Sequence, residues 1–206
     1  PEQSYTYAHF GRCAYRGLRK IIFHLMELIT GIVLAGGKSS RMGTDKGLIR
    51  LNGKPMVQHV LDPLARVCHR ILVVSGNPMY GMFGFELVKD EAPDFGPVMG
   101  ILSGLRQSKT ERNLVLSCDT PFITFDLLKQ LVLLSDDADV VAASSEKGIH
   151  PLIAVYNRSC IPTFEKAVAE DEHRLRTVLE KLKVQKLNVE NEELIRNVNT
   201  QADLRA

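Results

Sequence analysis

The sequence predicts a single α/β domain, a three-layer α/β/α sandwich built around a mainly parallel β-sheet. Short apolar strands alternate along the chain with amphipathic helices, and this order is typical of parallel sheets. Glycine-rich or acidic segments directly follow several of the predicted strands, at the edge of the sheet where ligands bind in such folds. The length of 206 residues suits one domain with a full hydrophobic core.

Each element is predicted from apolar periodicity and from its boundary residues. A β-branched strand over 29–33 runs into the glycine-rich segment, and the apolar positions over 56–68 recur at helical spacing after Pro55, a residue suited to a first helical turn. Further strands are predicted over 71–74, 85–88, 113–117, 140–143 and 152–156, and further helices over 98–107 and 125–134.

The glycine-rich, basic loop over 34–46 predicts a polyphosphate site. Gly36 and Gly37 allow backbone N–H groups to approach an anion closely. The loop also carries three cations and one carboxylate, which are Lys38, Arg41, Lys46 and Asp45. A Walker loop is excluded because Ile32 stands where its first glycine would be, and no G-x-G-x-x-G occurs. A nucleoside triphosphate is the expected ligand, and a glycine turn with a solvated basic flank is the alternative.

Asp119 is the strongest candidate for a metal ligand. It follows an apolar strand, so its carboxylate is expected to emerge at the end of that strand, where it can hold Mg²⁺ together with phosphate oxygens. The alternative is a helix cap, but Thr124 is better placed to cap the next helix. Asp90 also follows a strand, where it could accept hydrogen bonds from a base or ribose, share the metal, or simply be solvated.

The residues indicate positioning and charge neutralisation rather than covalent catalysis. No nucleophile–base pair stands out, and a lone histidine such as His150 is usually structural. Asn197 and Asn199 could place both amides on one face of an extended segment, or they could belong to a helix start at Thr200. A nucleotidyl transfer fits this set, with an acceptor phosphate attacking the α-phosphorus and pyrophosphate leaving.

Composition excludes several other classes of protein. A net charge of +2 gives no basis for general nucleic-acid binding, and no uninterrupted apolar run reaches the roughly 18 residues of a membrane span. The four cysteines are scattered, which favours reduced thiols in a cytoplasmic protein. Residues 1–25 are basic and aromatic, and we expect them to be an extension, disordered or a start-site artefact, before a domain over 26–206.

Together these motifs resemble the molybdenum cofactor guanylyltransferase family, from about Leu28 to Leu204. The likeness rests on six blocks: 34–46 (LAGGKSSRMGTDK), 51–55 (LNGKP), 96–101 (GPVMGI), 118–122 (CDTPF), 150–152 (HPL) and 197–200 (NVNT). The resemblance implies a Rossmann-like fold of the nucleotide-diphospho-sugar transferase type. It also implies GTP and Mg²⁺, molybdopterin or its molybdenum-loaded form as the acceptor, and cofactor-delivery or molybdoenzyme-chaperone proteins as partners.

The resemblance also implies roles for individual residues. The nucleotide-binding set is Leu34, Ala35, Gly36, Gly37, Lys46, Ser75, Asp90 and Asp119, and the catalytic set is Arg41, Lys46 and Asp119. Asp119 is in addition the Mg²⁺ ligand, and the acceptor side is assigned to His150, Asn197 and Asn199. Ser75 stands where some family members carry asparagine, and Asn77 could take over that contact.

Two alternatives stay open at this point. One is a cytidylyltransferase of the same superfamily that acts on molybdopterin or on a sugar or isoprenoid phosphate. A preference for CTP over GTP would distinguish it from a guanylyltransferase. The other is a non-catalytic nucleotide-binding protein that delivers the cofactor. The presence of Arg41, Lys46 and Asp119 counts against the second alternative, because a binding protein needs no metal carboxylate.

Overall fold

A seven-stranded sheet forms the centre of the computed structural model, which describes residues 29–36, 45–92, 95–134, 137–200 and 203. The strands are β1 (Ile29–Leu34), β2 (Arg50–Leu51), β3 (Lys54–Pro55), β4 (Arg70–Val74), β5 (Glu86–Val88), β6 (Arg112–Ser117), β7 (Val140–Ser145), β8 (Gly148–Asn157) and β9 (Val184–Asn188). The central sheet has the order β5-β4-β1-β6-β8-β7-β9, while β2 and β3 form a separate hairpin. Within this sheet β8 pairs antiparallel with both neighbours and the other pairs are parallel, so the predicted mainly parallel sheet is confirmed.

Helices cover both faces of the sheet. They are α1 (Met56–Ala65), α2 (Pro97–Gln107), α3 (Phe125–Leu133), α4 (Ile161–Ala169) and α5 (Leu175–Leu179). Successive residues of β1 point into different cores, since Val33 packs with α1 and α3 while Ile32 packs with α2, α4 and α5. The predicted three-layer sandwich is therefore confirmed, and in the described part of the chain no helix has the length and apolar character of a membrane span.

The predicted elements up to α3 are confirmed with small shifts of their ends. Thr124 caps α3, because its hydroxyl oxygen accepts a hydrogen bond from the Leu127 amide. The elements α4, α5 and β9, the β2–β3 hairpin and the direction of β8 were not predicted from the sequence. β9 lies at the edge of the sheet, where its side chains are half-buried or exposed, so its apolar signal is weak.

Two glycines let α2 lie unusually close to β1. A Cβ on Gly104 would lie 2.6 Å from Ile32 Cγ2, and one turn earlier a Cβ on Gly100 would lie 3.3 Å from Leu34 Cδ2. This close approach brings the N-terminus of α2, including Gly96 and Pro97, against the carboxyl end of β1.

We expect Gly104→Ala to lower the free energy of unfolding by about 1 kcal/mol, measured by urea denaturation. Overpacking against Ile32 costs about 1–3 kcal/mol, which exceeds the roughly 0.8–1 kcal/mol that alanine gains in helix propensity. Ser103→Ala is the matched control, because the buried Ser103 hydroxyl has no hydrogen-bond partner among the described residues. The control should not lose stability, and a Gly104→Ala variant as stable as the wild type would contradict the close packing.

Candidate active site

A cleft of about 240 Å³ opens at the carboxyl edge of β1, β4 and β6. Two carboxylates line it, Asp90 after β5 and Asp119 after β6, together with Leu34 and Gly36 from the end of β1. The opposite wall is the N-terminus of α2, which has no side-chain cap and adds the partial positive charge of a helix N-terminus. The cleft therefore combines acidic ligands for a cation with backbone donors for an anion.

Asp119 is held at the cleft from both its backbone and its side chain. Its carbonyl oxygen accepts a hydrogen bond from the Val198 amide at 2.8 Å, and its Oδ1 accepts one from Asn197 Nδ2 at 3.2 Å. Its second carboxylate oxygen, Oδ2, has no hydrogen-bond partner among the described residues. That oxygen is therefore available to a ligand in the cleft.

The C-terminal segment also reaches Lys46. Asn199 Oδ1 accepts a hydrogen bond from Lys46 Nζ at 2.9 Å, while Val198, between the two asparagines, is buried. One short segment therefore contacts both the candidate metal ligand and the candidate phosphate-binding lysine. The alternative reading of this segment also has support, since Thr200 and Asp203 cap each other's backbone amides as at a helix start.

Asp45, which the sequence analysis treated only as a counter-charge, fixes the end of the basic loop. Its Oδ1 accepts hydrogen bonds from the Tyr80 hydroxyl and from the Gly47 amide at 3.2 Å, and its Oδ2 accepts one from Asn77 Nδ2 at 2.9 Å. Burial raises the pKa of Tyr80, so the phenol stays protonated and its O–H donates a hydrogen bond to the Asp45 carboxylate. These contacts hold the backbone on both sides of Lys46.

Gly47 and Asn77 are both needed for the hydrogen bonds around Asp45. A Cβ on Gly47 would collide with the Tyr80 hydroxyl, so the glycine makes room for it. The Asn77 side chain donates to Asp45 and accepts from the Met79 amide at 3.0 Å, and its own amide donates to Ser75 Oγ at 3.1 Å. A single acid beside the lysine of the basic loop marks Asp45 in the sequence, but its partners Asn77 and Tyr80 lie 32 and 35 residues away.

The other predicted site residues lie in different surroundings. Ala35 and Ser75 are buried and are not among the residues that line the cleft, and Gly37 and Arg41 lie outside the described residues. His150 lies two residues before the cleft-lining Leu152; its Nε2 is 3.1 Å from Ser145 Oγ, and burial lowers its pKa below the usual histidine value.

Asp90 is half-buried on the cleft wall. Burial is the main reason that its pKa is raised above the usual carboxyl value, although the Ala92 amide donates to its Oδ1 at 3.2 Å. In the described residues no group of three or more histidine, cysteine or acidic side chains could bind a metal by itself. A cation in this cleft would therefore need ligands from a bound nucleotide as well as from Asp119.

The fold and the cleft agree with the comparisons with known proteins. The family described as the MobA-like NTP transferase domain matches residues 31–187, which is most of the chain. The chain belongs to this family.

MobA-like relatives match this chain over nearly their whole length. A probable molybdenum cofactor guanylyltransferase of Flavobacterium johnsoniae is 35% identical over 182 residues, which is 87% of this chain and 96% of the relative. A molybdenum cofactor guanylyltransferase of Serratia proteamaculans is 35% identical over 183 residues, 86% of this chain and 92% of the relative.

Solved structures show the same MobA-like architecture. Molybdopterin-guanine dinucleotide biosynthesis protein A of Archaeoglobus fulgidus has a TM-score of 0.74 at 25% identity, covering 85% of this chain and 95% of that one. A 4-diphosphocytidyl-2C-methyl-D-erythritol synthase of Anaerococcus prevotii has a TM-score of 0.71 at 15% identity, covering 90% and 96%, and this likeness shows the fold alone.

We expect Tyr80→Phe to weaken binding of a nucleoside triphosphate, measured by the ligand-induced shift in melting temperature. The variant removes a donor to the half-buried Asp45 carboxylate, at a cost of about 1.5–3 kcal/mol in stability, and it loosens the backbone around Lys46. Tyr156→Phe is the matched control, since this fully buried tyrosine donates to the Pro151 carbonyl at 2.8 Å. Equal nucleotide affinity in both variants would show that Asp45 does not position Lys46.

Proposed function

We propose that this chain transfers GMP from GTP to the phosphate of molybdopterin or its molybdenum-loaded form, releasing pyrophosphate and forming the guanine dinucleotide cofactor. The observation that carries the proposal is that one segment, through Asn197 and Asn199, contacts both the cleft-lining Asp119 and Lys46 in a MobA-like fold. Relatives named molybdenum cofactor guanylyltransferase, 31–35% identical over most of the chain, support the choice of reaction.

Asp119 fits a role as the protein ligand of Mg²⁺. One of its carboxylate oxygens is occupied by Asn197, and the other is available at the cleft. When bound, Mg²⁺ neutralises charge on the triphosphate and polarises its oxygens, which are chemical roles that such ions have in phosphoryl transfer. Asp90 lies at the same cleft, and we propose that it contacts the nucleotide.

Lys46 supplies the fixed positive charge. Its ammonium is held by Asn199 and its backbone is tied down through Asp45, so this cation is positioned before the substrate arrives. Charge held in place in this way stabilises the negative charge that builds on the leaving pyrophosphate. Gly36 and the N-terminus of α2 provide backbone donors, and we propose that Ala35, Gly37, Arg41 and Ser75 complete the nucleotide side.

The transfer needs no covalent intermediate. An oxygen of the acceptor phosphate attacks the α-phosphorus of GTP, the bond from the α-phosphorus to the bridging oxygen breaks, and pyrophosphate leaves with that oxygen. The chain's contribution is to hold the two substrates in line and to balance charge. His150, Asn197 and Asn199 stay our proposed contacts on the acceptor side, the two asparagines acting also through Asp119 and Lys46.

We further propose that the reaction takes place in the cytoplasm and that delivery or chaperone proteins hand over the unstable pterin. The described cysteines, Cys68, Cys118 and Cys160, are buried and free, which supports a reducing compartment.

In the presence of Mg²⁺ we expect GTP, and not CTP, ATP or UTP, to raise the melting temperature and to release pyrophosphate when molybdopterin is supplied. The four nucleotides carry the same triphosphate, so any difference measures recognition of the base. A response to CTP alone would favour the alternative of a cytidylyltransferase. Binding of GTP without pyrophosphate release would favour a delivery protein.

We expect Asp119→Asn to lower turnover by about 10²–10³-fold at ordinary Mg²⁺ concentrations, because loss of the carboxylate removes several kcal/mol of metal-assisted stabilisation. The amide can still accept the hydrogen bond from Asn197, so the fold should be kept. Asp126→Asn, at an exposed acid in the first turn of α3, is the control for charge alone. Full turnover in the Asp119 variant would contradict the role of Asp119 as the Mg²⁺ ligand.

A further inference from the structure

A second and larger cavity, of about 460 Å³, adjoins the catalytic cleft on the face of the sheet covered by α2, α4 and α5. Its walls come from the β7–β8 turn, from α5 and from β9, and we call it the α5 groove. The residues that matter for its chemistry are Lys147, Ile149, Arg176, Leu182, Val184 and Lys186. None of them belongs to the site described above.

The α5 groove is positively charged. Lys147, Arg176 and Lys186 line it together with a single carboxylate, that of Glu180. Lys147 forms an ion pair with Glu192 at 2.8 Å, but the side chains of Arg176 and Lys186 have no ion pair or hydrogen bond with the described residues. Two cations are therefore left for an anionic ligand.

The floor of the α5 groove is apolar. Ile149, Leu182 and Val184 are only half-buried and form the edge of the core beneath α5. A flat heterocycle laid on this floor would remove apolar surface from water, while its negative groups would face Arg176 and Lys186. The groove thus suits an organic anion with a planar body rather than a bare inorganic anion.

The α5 groove lies next to the catalytic cleft. Pro151 lines the groove, and the next residue of β8, Leu152, lines the cleft. The rings of Phe95 and His173 stack with centroids 3.8 Å apart, which ties the segment before α2 to the turn before α5. The groove and the cleft therefore meet at Pro151 and Leu152 of β8.

We propose that the α5 groove binds the pterin and dithiolate part of the acceptor, with Arg176 and Lys186 contacting the negative dithiolate, while the acceptor phosphate reaches into the catalytic cleft. This inference rests on the proposed function, since the transfer needs a second substrate volume within bonding reach of the α-phosphate. The groove residues then contact only the acceptor, while His150, Asn197 and Asn199 stay its proposed contacts beside the cleft.

The test is a double variant, Arg176→Ala with Lys186→Ala, compared with Lys109→Ala with Lys166→Ala, which removes two charges from residues outside the groove lining. We expect the groove variant to raise KM for molybdopterin at least about tenfold, with KM for GTP and kcat at saturating acceptor unchanged. The control pair should match the wild type in all three constants. An unchanged acceptor KM in the groove variant overturns the inference and leaves the guanylyl transfer standing.

A binding measurement separates failure of the inference from failure of the proposed function. The probe is 6-carboxypterin, an anionic fluorescent pterin, titrated against each protein without nucleotide. Binding by the wild type and the control pair that is lost in the groove variant supports the inference even if no GMP transfer occurs. Equal binding by all three proteins, or no binding by the wild type, overturns it.

Discussion

The candidate site depends on the Asp45 carboxylate and its three donors. A half-buried charge is stable only when its oxygens are satisfied, and loss of one buried partner costs about 1–3 kcal/mol. Tyr80, Asn77 and Gly47 meet this requirement from two segments of the chain. Their contacts fix where the basic loop rejoins the fold, and with it the position of Lys46.

The second constraint comes from the C-terminal segment. Asn197 and Asn199 lie 78 and 153 residues from their partners Asp119 and Lys46 in the sequence, yet they meet at one edge of the sheet. The site is therefore complete only when the segment at 197–199 has docked. Val198, buried between the two asparagines, provides the apolar anchor for that docking.

Local patterns account for what the sequence predicted well. The apolar strands β1 and β6, and α3 with its Thr124 cap, carry their signals within a few residues. The direction of β8 and the position of the edge strand β9 depend on which strands become neighbours in the sheet. A short stretch of sequence carries no information about that pairing. The role of Asp45 was missed for the same reason, because its donor Tyr80 lies 35 residues away in the sequence.

The reversed direction of β8 has an evolutionary consequence. Because β8 runs against its neighbours, the turn that joins it to β7 lies near the carboxyl edge of the sheet, where it lines the α5 groove. None of the described hydrogen bonds of Asp45, Lys46 and Asp119 is made by a residue of this turn. Substitutions in this turn can therefore alter the wall of the α5 groove without removing a hydrogen-bond partner of Lys46 or Asp119.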